Sequence, residues 1–224
     1  EAYRRGDIHI HDFDFYNLTT TCCQIDLNKL FNGGFSTGHG YLREPNDIAS
    51  YSALACIAIQ SNQNDQHGGQ SIPNFDYGLA GGVRKTYDRL YRSNFKKACN
   101  LLCGEAMDEV VDSVFNVLKE DGFVPSLKRD ETYDKKEKEM FCKVIDENQY
   151  ELIKNFTIKN AYNETDRATF QAMEALVHNL NTMHSRAGAQ VPFSSINYGT
   201  DTSEEGRMVI KNVLLATEKG LGDG

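Results

Sequence analysis

The sequence lacks a basic surplus, a long apolar run, a dense cysteine framework and any recognisable leader, and each absence removes a class of function. Its 224 residues hold 32 Asp and Glu against 24 Lys and Arg, a formal net charge of −8. Proteins that grip the phosphate backbone of nucleic acid carry the opposite balance, so nucleic acid is not an expected partner. A mononucleotide needs only a local anion site and stays compatible with this charge. Crossing a bilayer takes roughly 20 apolar residues, and the longest candidate, Tyr51–Ile59, is too short and too mixed; no membrane association is expected. No charged-then-apolar leader with a small-residue cleavage site is recognisable. The six cysteines (Cys22, Cys23, Cys56, Cys99, Cys103, Cys142) are too sparse for a secreted disulfide scaffold. They read as reduced thiols in a cytoplasm. There is no internal repeat, low-complexity tract or domain linker. The first residue, Glu1, and the abrupt glycine-rich stop suggest a piece of a longer protein.

What is present describes an ordinary globular chain, 40% hydrophobic and 25% charged, able to bury one substantial core or two small ones. Ile8-His9-Ile10-His11 alternates like a strand, and Thr19–Ile25 has the composition of a second, buried one. Gly33, Gly34, Gly38 and Gly40 mark loops. Asp47 is placed to cap a helix running to about Gln63, with Ile48, Tyr51, Leu54, Ala55, Ala58 and Ile59 near helical spacing. Residues 66–76 look strand-like and glycine-rich. Helical period is clear from Arg84 onward (Tyr87, Tyr91, Phe95, then Met107–Leu118), and Lys128–Lys138 reads as a solvated helix face or connector. A further amphipathic helix is predicted from about Thr165, capped by its hydroxyl, with a stripe of Phe170, Met173, Val177, Leu180 and His184; that places His184 in the core. Helices interspersed with short, non-adjacent strands predict α/β with parallel pairing.

That last helix leads into Asn181–Ser203, which is rich in hydroxyls and amides, nearly free of charge, and predicted to contain a buried strand. Polar groups entering an interior must find hydrogen-bond partners, and a ligand can supply them. Pro192-Phe193-Ser194-Ser195 offers hydroxyls and amides of the kind that cradle phosphates. The stretch reads as a site wall.

Several motifs carry a resemblance: NTMHSRAGAQVPFSSINYGT (181–200), GDIHIHDFDFY (6–16), TCCQIDL (21–27), QHGGQS (66–71) and the closing LGDG (221–224). In their order along the chain they resemble the anaerobic, class III ribonucleotide reductases, which are glycyl-radical enzymes. The likeness covers most of the chain and is weakest between about Tyr87 and Asn163. It implies the helix-rich first half of a ten-stranded α/β barrel of ribonucleotide-reductase type. Residues 1–224 would form one partial catalytic domain, without the upstream ATP-cone, the second barrel half and the C-terminal glycyl-radical and zinc region. The complete enzyme would convert ribonucleoside triphosphates to deoxyribonucleotides. The isolated chain is expected to be inactive, and a half-barrel's exposed edges are expected to favour aggregation or artificial dimers.

Adjacent strand residues point to opposite faces, so one of Cys22 and Cys23 can face a given pocket. Without the resemblance either thiol reads as a small core hydrophobe. With it, Cys22 takes the role of the family's first-strand cysteine, which lies by the substrate and assists reduction at the 2′ carbon; Cys23 takes it if the register shifts by one. The resemblance also makes His67, Gln70 and Ser71 substrate contacts. Their glycine neighbours let backbone approach a ligand; the alternative is a polar turn. Ser194, Ser195 and Asn197 are expected to touch ribose or phosphate, and Gln190 to bind substrate through a buried hydrogen bond. Arg186 is either a bidentate phosphate partner or a helix-end arginine.

No metal is expected in this segment. His9 and His11 share a strand face but lack further ligands, Cys99 and Cys103 lack a second pair, and Cys56 and Cys142 read as a core and a surface thiol. The resemblance implies that the full enzyme uses a glycyl radical, a structural zinc and a separate iron–sulfur/S-adenosylmethionine activase. It further implies deoxynucleotide and ATP effectors, and a homodimer. Two rival readings are a non-catalytic nucleotide-binding or assembly half of a split reductase, and a glycyl-radical enzyme acting on a small acid or alcohol.

Overall fold

A computed structural model of the chain describes residues 1–9, 21–103, 107–184, 191 and 193–222, with the side chains of Thr21 and His67 outside that description. The element order is α1 (Ala2–Arg5), β1 (Thr21–Gln24), α2 (Leu27–Phe31), β2 (Phe35–Ser36), β3 (Tyr41–Leu42), α3 (Ile48–Asp65), β4 (His67–Ile72), α4 (Phe75–Cys103), α5 (Asp108–Glu120), α6 (Glu131–Phe141), α7 (Glu147–Thr182), β5 (Ser194–Ile196) and α8 (Glu204–Lys219). β1, β4 and β5 form a parallel sheet in that order, and β2 and β3 a separate antiparallel hairpin. The α/β class with parallel pairing is therefore present. The described residues make a three-stranded open sheet, not a closed barrel.

Helix starts follow local chemistry. Asp47 caps α3 by accepting the Ser50 N–H at 2.8 Å, and Ser50 answers toward the Asp47 backbone as a capping box. The first turn is then tied to α4, where the Ile48 N–H donates to Thr86 Oγ1 at 2.9 Å. Thr165, by contrast, starts nothing. α7 is one helix of 36 residues capped by Asp146, and the buried Thr165 hydroxyl donates to the Ala161 carbonyl one turn back at 2.6 Å. A threonine can spend its hydroxyl inside a helix as well as at its start. The predicted stripe is only partly core: Met173 is fully buried and Phe170, Val177 and Leu180 pack at the margin. His184 lies past the helix end and is exposed, which corrects its expected core placement.

α4 also begins earlier than its period suggested, because Gly78, Gly81 and Gly82 lower helix propensity there. They are needed for close packing. A Cβ on Gly82 would lie 2.8 Å from Tyr51 Cγ, and one on Gly78 would lie 3.0 Å from Leu27 Cβ. Ile8 and His9 belong to neither helix nor strand, so the strand predicted there does not include them, and the rest of it lies outside the described residues.

Two cores result. The first joins the sheet to α3, α4, α7 and α8 through Leu27, Ile59, Ile72, Phe75, Met173 and Val209. The second lies where α4, α5, α6 and α7 meet, and its rings pack tightly; the Phe95 and Phe141 centroids are 4.3 Å apart. Cys56 is buried in the first core and Cys99 in the second, whereas Cys142 is exposed, as expected for these thiols. Burial pushes the Cys56 thiol up to about 11, despite a hydrogen bond with Asn179 that favours the thiolate, and the Cys99 thiol up to about 12.

Where β5 leaves the sheet, Asp201 fills the space beside Gly206 in the first turn of α8. A Cβ on Gly206 would lie 2.3 Å from the Asp201 carboxylate. Gly206→Ala is expected to destabilise the chain by about 1–2 kcal/mol, overpacking outweighing the gain in helix propensity. Urea unfolding checks this; an unchanged midpoint would show that Asp201 moves aside freely.

Candidate functional site

The register of the parallel sheet sorts the polar residues onto two faces. Cys23, Gln70 and Ser194 stand in one row, and Gln24, Ser71 and Ser195 in the next. Neighbouring rows point to opposite sides. The first row lies on the helix side: Cys23 packs against the first core, Gln70 is fully buried, and Ile72 and Ile196 follow on that face. Gln70 accepts a hydrogen bond from Asn62 on α3, while its own buried Nε2 has no partner among the described residues. The second row is open, with Gln24 and Ser195 exposed and Ser71 half-buried. Asn197, just beyond β5, is exposed too, and its backbone is held by the Ile72 carbonyl and the Phe75 N–H at 2.9 and 3.0 Å.

Cys22 heads this open face. It is exposed, and its φ of 63° is the one positive value at a described non-glycine residue. Opposite it β4 carries an extra residue, since Thr21 pairs with His67 but Cys23 pairs with Gln70. The resulting Gly68-Gly69 floor has the Cys22 sulfur on one side and the Phe193 ring on the other: a Cβ on Gly68 would meet Cys22 Sγ at 2.8 Å, and one on Gly69 would meet Phe193 Cδ1 at 3.5 Å. Phe193 is 76% exposed, a large apolar surface beside the polar face.

Of the residues singled out in the sequence, Cys22, Ser71, Ser195 and Asn197 are therefore accessible from the open side, and Gln70 and Ser194 stand behind them. His67 joins the sheet by its backbone; its side chain, and all of Arg186 and Gln190, lie outside the described residues. Among the described residues the strand predicted in this stretch is an edge strand with Ser195 exposed, not a buried one, because there helices cover one side of it. Gln24 was missed, although its spacing two residues after Cys22 puts it on the same strand face. Phe193 falls within the predicted site-wall stretch, but not as its apolar contributor.

The backbone amides of this region do form an anion nest, and its occupant is internal. Asp76, fully buried in the first turn of α4, accepts through Oδ2 from the N–H groups of Gly199, Thr200 and Asp201 at 2.9, 3.0 and 2.9 Å. Burial alone would raise its pKa, but these amides and that of Tyr77 together hold it below the ordinary Asp value. Tyr77 adds a bond from its hydroxyl to the Thr200 carbonyl at 3.0 Å. The loop after β5, and with it Asn197, is fixed to α4. Among the described residues no three His, Cys, Asp or Glu side chains converge as a metal site.

A cleft of about 370 Å³ runs along the outer edge of β1 between the hairpin and α3, lined by Cys23, Asp26, Phe35, Ser61 and Asn62 among others. A second, of about 340 Å³, follows the outer edge of β5 between α7 and α8 and is lined by Leu176, Leu180, Ile196 and Val213. No helix of the described residues is long and apolar enough to cross a membrane.

Comparison with known proteins bears on what this face serves. A family model described as anaerobic ribonucleoside-triphosphate reductase matches residues 1–224. The chain is 25% identical to the anaerobic ribonucleoside-triphosphate reductase of Enterobacteria phage T4, over 99% of this chain and 28% of the relative. It is 24% identical to the proteins of the same name from Escherichia coli and Salmonella typhimurium, in each case over 99% of this chain and 24% of the relative. The chain thus spans about a quarter of the length of the curated relatives it matches. Matched over its whole length, it belongs to the anaerobic ribonucleoside-triphosphate reductase family.

Proposed function

We propose that this chain is the part of an anaerobic ribonucleoside-triphosphate reductase that carries the first strands of the catalytic barrel, with the open sheet face turned toward the ribonucleotide. The observation that carries this reading is the position of Cys22, a thiol held exposed at the head of a polar face in a backbone conformation that L-residues rarely adopt. An ordinary core cysteine has no need of such a conformation. Cys23 packs into the core from the same strand, which favours Cys22 as the reducing thiol.

In this reading Cys22 assists reduction at the ribose 2′ carbon, and Gln24, Ser71, Ser195 and Asn197 offer amide and hydroxyl groups to the sugar and phosphates. Gln70 and Ser194 support the face from behind. The glycyl radical of the complete enzyme, formed by a separate activase, would supply the one-electron chemistry. The grooves along the free edges of β1 and β5 are where further strands of the ten-stranded barrel would add. Deoxynucleotide and ATP effectors, a homodimer and a cytoplasmic setting belong to the same reading.

Cys22→Ala in the full-length protein, activated anaerobically, is expected to abolish deoxyribonucleotide formation while leaving ribonucleotide binding within a few-fold of the parent. Undiminished reduction by that variant would sink the assignment. Cys142→Ala, which alters an exposed thiol away from the sheet, is expected to be fully active.

A further inference from the structure

We propose that Gly68 is a positioning residue for the Cys22 thiol: it is a glycine because the sulfur occupies the space any side chain at that position would take. The inference rests on the reading of Cys22 as the reducing thiol and extends it to a residue that itself touches no reacting atom.

Three observations converge. Between Thr21 and Cys23 strand β1 advances by two residues while β4 advances from His67 to Gln70, so Gly68 and Gly69 lie opposite Cys22. Both sides of this irregularity have left-handed backbone, φ 63° at Cys22 and 88° at Gly68. A Cβ at Gly68 would lie 2.8 Å from Cys22 Sγ and 3.1 Å from its backbone nitrogen. At 3.1 Å the nitrogen need give only a few tenths of an ångström, whereas the sulfur, at the end of its side chain and 2.8 Å away, is the atom that must move. Reaching ordinary contact with carbon takes a displacement of roughly 1 Å. The neighbouring glycine is different: a Cβ on Gly69 would make ordinary contact with Phe193. The pair is therefore asymmetric, and only Gly68 sets where the thiol stands. A shift of that size at a reacting group costs on the order of 100-fold in rate.

The test is Gly68→Ala in the full-length, anaerobically activated protein, with Gly38→Ala as control. Gly38 has the same φ of 88° and nothing within 4 Å of its would-be Cβ, so it carries the backbone strain without the contact. Gly68→Ala is expected to lower kcat for ribonucleotide reduction by about 100-fold with KM changed less than about threefold, and Gly38→Ala to keep the parent kcat. Equal kcat for the two variants overturns the inference. If Gly68→Ala is too unstable to assay, thermal unfolding of Gly68→Ala, Cys22→Ala and the double variant decides. The Tm loss at Gly68 should shrink once the sulfur is gone, and strict additivity contradicts the proposed contact. The parent reading fails separately: Cys22→Ala with full activity removes it whatever Gly68→Ala does. An inactive Cys22→Ala beside a fully active Gly68→Ala removes only the positioning role.

Discussion

Asp76→Ala is expected to lower the stability of the chain by about 4 kcal/mol, since it strands the Gly199, Thr200 and Asp201 amides that now converge on one buried carboxylate oxygen. Asp76→Asn keeps an acceptor in place but loses the charge, and should cost roughly half as much. The effect has a pH signature. The folded-state pKa of Asp76 lies below its ordinary value, so the carboxylate contributes its full stabilisation above the unfolded-state pKa, about 3.9. That contribution is lost as pH falls through this value and on through the lower folded-state pKa. The stability gap between parent and Asp76→Ala should therefore be constant from neutral pH down to about 5 and narrow below about 4, without vanishing, because the protonated acid still accepts. A gap that instead widens with acid would mean that the nest does not favour the charged form. Because Asp76 anchors the loop that follows β5, the same variant should loosen Asn197 on the candidate substrate face.

The second large effect is expected in the core remote from the sheet. Glu137 is completely buried and accepts from Tyr91, Tyr150 and Lys154, the last at 2.8 Å. Lys154 is nearly as buried, pairs also with Asp134 at 2.9 Å, and lies over the rings of Tyr91 and Tyr133. Lys154→Met removes the cation and leaves an acid buried among phenols, at an expected cost of about 3–5 kcal/mol. Adding Glu137→Leu should recover much of that loss, because a buried pair contributes little net energy relative to apolar groups of similar size. Chemical denaturation of the two single variants and the double variant measures the coupling. Additive losses would show that Glu137 and Lys154 are not energetically paired. The same environment, burial first and Glu137 next, raises the pKa values of Tyr87, Tyr91, Tyr133 and Tyr150, so these phenols stay neutral and available as donors.

Local chemistry made part of this fold legible. The start of α3 follows from Asp47 and Ser50 three residues apart, and the aromatic period of Tyr87, Tyr91 and Phe95 marks the second core. The failures share a cause, which is that a distant partner decides the outcome. Thr165 looks like a cap until the helix before it is seen to continue. Helical period marks α4 only from Arg84, and its opening glycines make sense once Tyr51 and Leu27 are found filling the space they leave. Asp76 and its nest are separated by 123–125 residues and have no local signature at all. At the candidate site, the motifs located Cys22, Ser71, Ser195 and Asn197. Which face each occupies required the pairing register, and the bulge that turns the Cys22 thiol arises from two strands meeting, not from either alone.

In the proposed function the ribonucleotide binds at the open sheet face. Thiol alkylation followed by peptide mass analysis tests it directly, because Cys22 and Cys142 are exposed while Cys56 and Cys99 are buried. In the full-length protein under anaerobic conditions, saturating ribonucleoside triphosphate is predicted to slow labelling of Cys22 at least tenfold and to leave Cys142 unaffected, an effect on the order of 1.4 kcal/mol. Labelling of Cys22 at an unchanged rate, with the nucleotide shown to be bound, would contradict it.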